Sequence, residues 1–268
     1  MDSAQSVAAV LQAEQAGAEN VVIVAVEIEG FQLQKDAAIK AAANLGLPIL
    51  QVFDVQAELP NYRSTANEIQ KLDPDAVLIF SAAIDGGLIV KDMADVGLTS
   101  TIIGPTDWQD KKFFVTATPN ALESFEAVWV VAFTHAESPA WEFYKPLWDN
   151  SVYADLATSE NSYNLQYYDL LNVTALSIEA AGTTEASTWV EYVPAVAEGP
   201  GTVVYTYQQG IEALRNGEEI DYSGISGEMN YTDTGVVSGL FGIFEWTNTG
   251  ELALLSLLDE NQVMELDN

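Results

Sequence analysis

The chain has 268 residues, of which 40 are Asp or Glu and 9 are Lys or Arg, giving a formal net charge of -31. This balance argues against nucleic acid and anionic membranes as partners, because both require a positive patch. The chain has no cysteine and one histidine, which excludes disulfides, thiolate chemistry and multi-His metal sites. Its 49% of apolar residues is enough to build one large domain or two lobes.

Apolar strands alternate with helices over residues 1–110. The strand segments are continuous and β-branched, which is typical of parallel strands buried on both faces. They are predicted at 21–26, 49–53, 76–80 and 101–103. The helices are predicted at 4–16, 35–44, 64–72 and 87–95. This alternation predicts an α/β fold built on a doubly wound parallel sheet.

The pattern changes in the second half of the chain, where helices dominate. A strand region is predicted within 121–134, and helices are predicted at 141–148, 162–181, 188–195 and 208–216. Residues 227–230, a turn at 232–235 and residues 242–246 together indicate antiparallel strands joined by tight turns. No run of about 18 apolar residues occurs, so no membrane span is predicted.

Catalytic and cofactor motifs are absent from the sequence. It contains no Gly-x-Gly-x-x-Gly, no phosphate-binding P-loop and no Gly-x-Ser-x-Gly. His135, the only histidine, is interpreted as a surface or hinge residue. We therefore expect neither an enzyme nor a bound cofactor.

Paired carboxylates have two interpretations. Glu27 with Glu29, or Asp107 with Asp110, suits an acid and base or a Ca²⁺ or Mg²⁺ site. In a chain with 40 acids, solvated surface charge is the preferred interpretation, and no metal site is predicted.

One group of residues is more specific. The loop after the strand at 101–103 carries Asp107 and Trp108, and Phe31 follows the strand at 21–26. Loops at the carboxyl ends of parallel strands are the usual ligand sites of such sheets. An aromatic wall beside a carboxylate suits a small ligand with an amine. The alternative, that Trp108 only anchors a lobe surface, stays open.

The order of these segments resembles the type I periplasmic solute-binding proteins, in particular the branched-chain amino-acid-binding-like group that serves ABC importers. Each matching segment is weak alone, but their order and spacing cover nearly the whole chain. The segments are 2–5, 21–26 with Phe31, 72–77, 91–98, 103–104, 168–169, 220–227 and 230–235. The resemblance implies two α/β lobes that close over a solute.

The resemblance also implies roles for individual residues. Phe31 stands where the family usually has a Tyr packed on the ligand, and Asp107 lies near the acid that receives the ligand ammonium. Trp108 matches a neighbouring aromatic, and Tyr168 starts a helix near the hinge. The segment from Ser81 to Ala83 is small where relatives often present aromatic or polar contacts, which suits a bulkier ligand than the usual amino acid.

By the same resemblance, a first segment of the amino-terminal lobe has no counterpart here. We expect residues 1–135 to form a carboxy-terminal-type α/β lobe and residues 136–219 the helical remainder of an incomplete second lobe. Residues 220–268 are expected to form a hairpin that returns to the first lobe and a tail. An apolar helix face that stays exposed to water forfeits roughly 25 cal/mol of stabilising free energy per Å². A companion chain or self-association is therefore expected to cover it.

The expected function is non-catalytic capture of a small solute, an amino acid or a related amine or amide, for uptake through an ABC permease. A ligand-sensing role is a variant of this function. The alternative is a structural or interaction subunit of a larger envelope assembly. The resemblance implies a periplasmic or extracellular location, although the first residues lack the basic start and apolar run of a secretory signal.

Overall fold

The computed structural model describes residues 2–229, 231, 237 and 239–267. The strands β1 to β10 are, in order, Val21–Val26, Ile49–Val55, Ala76–Phe80, Thr101–Gly104, Val128–Phe133, Thr202–Val204, Ile220–Gly224, Gly227–Glu228, Phe241–Trp246 and Leu252–Leu257. The helices α1 to α12 are, in order, Asp2–Gln15, Glu29–Leu45, Arg63–Leu72, Ala83–Asp95, Lys111–Ala117, Pro119–Leu122, Pro139–Asp149, Ser162–Ala181, Ala186–Trp189, Val193–Ala197, Tyr207–Arg215 and Glu260–Asp267. Short 3₁₀ helices cover Thr106–Gln109 and Val190–Tyr192.

The chain divides into two units. The first unit comprises residues 1–132 and 241–268, and the second comprises residues 133–240. The chain thus returns to the first unit at Phe241, later than the expected return at residue 220. The reason is that β7 pairs with β6 inside the second unit. The assignment of each unit to a particular lobe of the family stays a prediction.

The first unit is built on a doubly wound sheet, which confirms the predicted fold class. Within the described residues, its strand order is β10-β9-β5-β4-β3-β1-β2. The ladders β1·β2, β1·β3, β3·β4 and β4·β5 are all parallel. Strands β1, β3 and β4 are buried along their whole length, as their continuous apolar sequences predict. Helix α1 packs on α2 and α12, whereas α3 and α5 pack on α4.

Two helices of this unit begin earlier than predicted. Helix α2 begins at Glu29 instead of residue 35, and α4 begins at Ala83 instead of residue 87. The sequence Gly86-Gly87 favours a loop by propensity, yet both glycines lie inside α4. A Cβ at Gly87 would lie 2.7 Å from Thr116 Cβ, so this glycine lets α5 approach α4 closely. Tertiary packing therefore overrides the local preference.

The second unit has a small sheet of its own. Within the part of the chain that the structure describes, this sheet has the order β6-β7-β8, with β6·β7 parallel and β7·β8 antiparallel. Helix α8 buries Val173 and Leu176 against a core that includes Ile220 and Tyr222. Among the described residues this sheet has three strands, against seven in the first unit, which is consistent with the predicted incomplete second lobe.

The tail differs from its prediction in the pairing of its strands. Strand β9 pairs antiparallel with β10 and also neighbours β5, while Gly227–Glu228 pairs with β7. The predicted turn at 232–235 lies outside the described residues.

Candidate functional site

The candidate site lies in the first unit, at the carboxyl ends of β1, β3 and β4. Strands β1 and β3 are neighbours, yet the chain leaves β1 toward β2 and leaves β3 toward β4, in opposite directions across the sheet. Such a reversal of strand order opens a crevice between the two departing loops, where α/β sheets bind ligands. Phe31 follows β1 and Ser81 follows β3, so both residues flank this point.

Phe31 lies in the first turn of α2 and not in a loop. Its ring is half-buried and packs against the core of the unit. The residue before the helix, Ile28, has extended backbone, is 45% exposed and gives no side-chain cap. Ala82, before α4, gives none either. The first-turn N–H groups of both helices therefore receive no hydrogen bond from the side chain of the residue that precedes the helix.

Ser81 and Trp108 are brought together, but below the surface. The Trp108 indole Nε1 donates to Ser81 Oγ at 3.2 Å, and both residues have 0% exposure. The Trp108 ring also stacks on Phe113 with centroids 4.2 Å apart. Trp108 is therefore a core residue, and the expected open aromatic wall is not formed by its ring in this structure. It holds the β3 and β4 loops together instead.

Two glycines make room for this indole. A Cβ at Gly86 in α4, or at Gly104 at the end of β4, would overlap the Trp108 ring. The close approach of the ring to the backbone requires glycine at both positions.

Asp107 is half-buried in the 3₁₀ helix that follows β4. Beside it, Thr106 Oγ1 is buried and has no hydrogen-bond partner among the described residues. A buried hydroxyl without a partner is costly, and a bound water or ligand is one way to supply the missing hydrogen bond. Thr106 lay within the loop noted in the sequence, but no motif distinguished it.

Asp110 has a structural role. Its carboxylate accepts from the Lys112 backbone N–H at 2.9 Å and caps α5. Among the described residues, no group of three or more acidic or histidine side chains is placed to hold a metal ion.

Asp85 fixes the loop after β2 at the same edge. Its buried carboxylate accepts from Tyr62 Oη at 2.7 Å and from the Glu58 backbone N–H at 3.0 Å. Burial, followed by the hydrogen bond to Asp85, raises the pKa of the Tyr62 hydroxyl, so it remains a donor. Sequence patterns did not reveal this pair because its members are 23 positions apart.

Tyr168 belongs to the second unit and lies within α8, so it does not start a helix. Its half-buried ring contacts Tyr144 with centroids 4.8 Å apart. His135 also lies in this unit, and its ring stacks on that of Trp141 with centroids 3.5 Å apart. Burial lowers the pKa of the imidazole.

Comparison with known proteins now identifies the family. The sequence profile of the periplasmic binding proteins matches residues 1–251. The chain belongs to the periplasmic binding protein family. Among curated protein sequences, no match is found.

Solved structures share the fold at low sequence identity. A leucine-binding protein, LivK, from Thermotoga maritima superposes with a TM-score of 0.75 at 17% identity, over 97% of this chain and 67% of that one. An ABC-transporter solute-binding protein from R. palustris, in complex with benzoate, superposes with a TM-score of 0.68 at 15% identity, over 96% of this chain and 63% of that one. The substrate-binding protein LivJ from Streptococcus pneumoniae, in complex with isoleucine, superposes with a TM-score of 0.66 at 12% identity, over 96% of this chain and 65% of that one.

The chain thus spans about two thirds of the length of these relatives. Among the described residues, no helix combines the length and apolar character needed to cross a membrane.

Proposed function

We propose that the chain binds a small solute, an amino acid or a related amine or amide, for uptake through an ABC permease. Binding takes place by lobe closure, without catalysis, in the periplasm or outside the cell. The observation that carries the proposal is the unpartnered Thr106 hydroxyl beside the half-buried Asp107 at the end of β4. A carboxylate and a hydroxyl together suit an ammonium or amide N–H group.

The residues around this pair have complementary roles. Phe31 supplies apolar surface after β1, while Ser81 and Trp108 position the ends of β3 and β4. Tyr168 is retained as a proposed ligand contact of the second unit. The family and the names of its solved members support solute binding as a class. The benzoate complex shows that ligands in this fold extend beyond amino acids.

Thermal unfolding in the presence of candidate solutes tests this function. The panel contains amino acids, amides, urea and small aromatic acids. A true ligand at a hundredfold excess over its dissociation constant stabilises the fold by about 2.7 kcal/mol. Asp107→Asn and Phe31→Ala are expected to remove the shift, whereas Asp36→Asn, which removes an exposed acid of the same unit, is expected to keep it. No shift with any solute would contradict the proposal.

The exposed side of α8 favours a second function. In this function the chain serves as an interaction subunit of a larger assembly. Four large side chains are exposed on this side: Tyr163 and, four, seven and eight positions after it, Tyr167, Leu170 and Leu171. Leu171 is 68% exposed. Contiguous exposed apolar surface is typical of a contact face. Its proposed partner is a companion chain or a second copy.

A further inference from the structure

A separate cavity of about 360 Å³ lies in the first unit, away from the candidate site. It opens beside Val128, the first residue of β5, whereas the candidate site lies at the carboxyl ends of the parallel strands. The two are therefore at opposite edges of the sheet. The volume lies within the range of small-molecule sites.

The cavity is bounded by aromatic rings. Phe114, Phe125 and Trp246 line it, and the rings of Phe114 and Trp246 lie 5.4 Å apart. The Trp246 indole N–H already donates to the Trp108 carbonyl at 2.9 Å. With this donor engaged, Trp246 has its ring, and not a hydrogen-bond donor, to offer a ligand.

The walls are fixed by backbone hydrogen bonds. On one side, the Glu126 N–H donates to the Thr99 carbonyl at 2.8 Å. On the other side, the Thr247 N–H donates to the Glu251 carbonyl at 2.8 Å. These bonds hold the backbone on two sides of the cavity, and a rigid backbone reduces the entropy that a ligand has to overcome.

The charge of the lining is entirely negative. Glu123, Glu126 and Glu245 line the cavity, and none of the lining residues is Lys, Arg or His. The described residues offer no cluster of three acids that could hold a bare metal ion. Aromatic faces attract cations through their negative quadrupole, and carboxylates at the rim add to this attraction.

We propose that this cavity binds a small organic cation, a protonated or quaternary amine. The aromatic rings contact the alkyl groups of the ammonium, and the carboxylates neutralise its charge. The remaining lining, which includes Leu122 and Val128, contacts the apolar part of the ligand. This site has its own lining and is distinct from the solute site proposed above, and the two are joined through the hydrogen bond between Trp246 and the Trp108 carbonyl.

Isothermal titration calorimetry with choline, and with its neutral carbon isostere 3,3-dimethyl-1-butanol, tests the proposal at physiological salt. Choline is expected to bind one site saturably and roughly tenfold more tightly than the isostere, since the two differ mainly in charge. Glu123→Gln combined with Glu245→Gln is expected to weaken choline binding several-fold and to leave the isostere unchanged. Both glutamates are exposed, so these substitutions do not disturb the core.

Two control variants show whether choline binding depends on this cavity in particular. Asp36→Asn removes one exposed negative charge outside the cavity lining, and Asp107→Asn removes the carboxylate of the candidate solute site. Neither is expected to change choline binding. Equal affinities for choline and its isostere, no saturable binding, or an equal loss in either control variant would overturn the proposal.

Discussion

Asp169 is a carboxylate at the centre of the second unit, with 0% exposure. It accepts from Tyr222 Oη at 2.9 Å and from the Ile225 backbone N–H at 3.1 Å. Ser226 donates twice, through its N–H at 2.8 Å and its Oγ at 2.6 Å. One side chain of α8 thus fixes the turn between β7 and β8. A Cβ at Gly224 would overlap this carboxylate, so the glycine allows its approach.

Replacing Asp169 with Ala is expected to destabilise the second unit strongly. The change leaves several buried donors without an acceptor, and each costs about 1–3 kcal/mol. We therefore expect the free energy of unfolding to fall by at least about 3 kcal/mol in urea titrations. Asp155→Asn, at an exposed position, serves as control. A loss no larger than that of the control would show that the network contributes little.

The stability contributed by Asp169 is also expected to depend on pH. Burial raises the pKa of this carboxyl in the folded state, outweighing the hydrogen bonds from Ser226 that lower it. A raised folded pKa means that the neutral form is favoured by folding, so stability is greatest below the unfolded pKa of about 3.9. The stability that Asp169 contributes is lost as the pH rises through the pKa of the folded state.

The difference in free energy of unfolding between the wild type and Asp169→Asn isolates this titration, because the other acids cancel. This difference is expected to decrease as the pH is raised from 3. A difference that increases over the same range would mean that the folded pKa is lowered instead.

Gly104 is expected to tolerate no side chain. In Gly104→Ala the new methyl group meets the Trp108 ring, which is fully buried and hydrogen-bonded to Ser81. Overpacking of a core costs about 1–3 kcal/mol. Gly30→Ala is the matched control, because a Cβ there meets nothing within 4 Å and the residue lies in α2. Thermal unfolding that is the same for both variants would contradict this packing.

At the scale of elements, sequence patterns predicted the bounds of strands best where every residue of the strand is buried. Strands β1 and β3 have the predicted bounds, because their runs of apolar residues are buried throughout. Helix α8 also has its predicted bounds, since Asn161 caps its start and Gly182 takes the left-handed conformation at its end. Helix α4 was predicted too short, because the role of its glycines depends on Trp108 and α5.

The sequence allowed us to predict which loops form the candidate site. It did not allow us to predict the contacts that their side chains make. Parallel strands place Phe31, Ser81 and Asp107 near one edge of the sheet, which the alternation of elements predicted. The burial of Trp108 and the missing partner of Thr106 depend on distant packing, and no local pattern encodes either.

The exposed side of α8 is expected to promote association. Leu171→Gln removes apolar surface from a side chain that is 68% exposed, so the free energy of unfolding changes by no more than about 0.5 kcal/mol. Sedimentation velocity is expected to show weaker self-association or weaker binding of a companion chain. Leu176→Gln, in the buried core, is the contrasting variant and is expected to prevent folding. Unchanged association of Leu171→Gln would count against a contact face here.

At the scale of the whole molecule, the proposed function requires a solute held at the carboxyl edge of the first unit's sheet. Native mass spectrometry of the chain, mixed with amino acids, amides and small aromatic acids, measures this most directly. We expect one solute bound per chain in the wild type and in Asp36→Asn, and its loss in Asp107→Asn. A wild type without any bound solute, or an Asp107→Asn variant that retains it fully, would contradict the account.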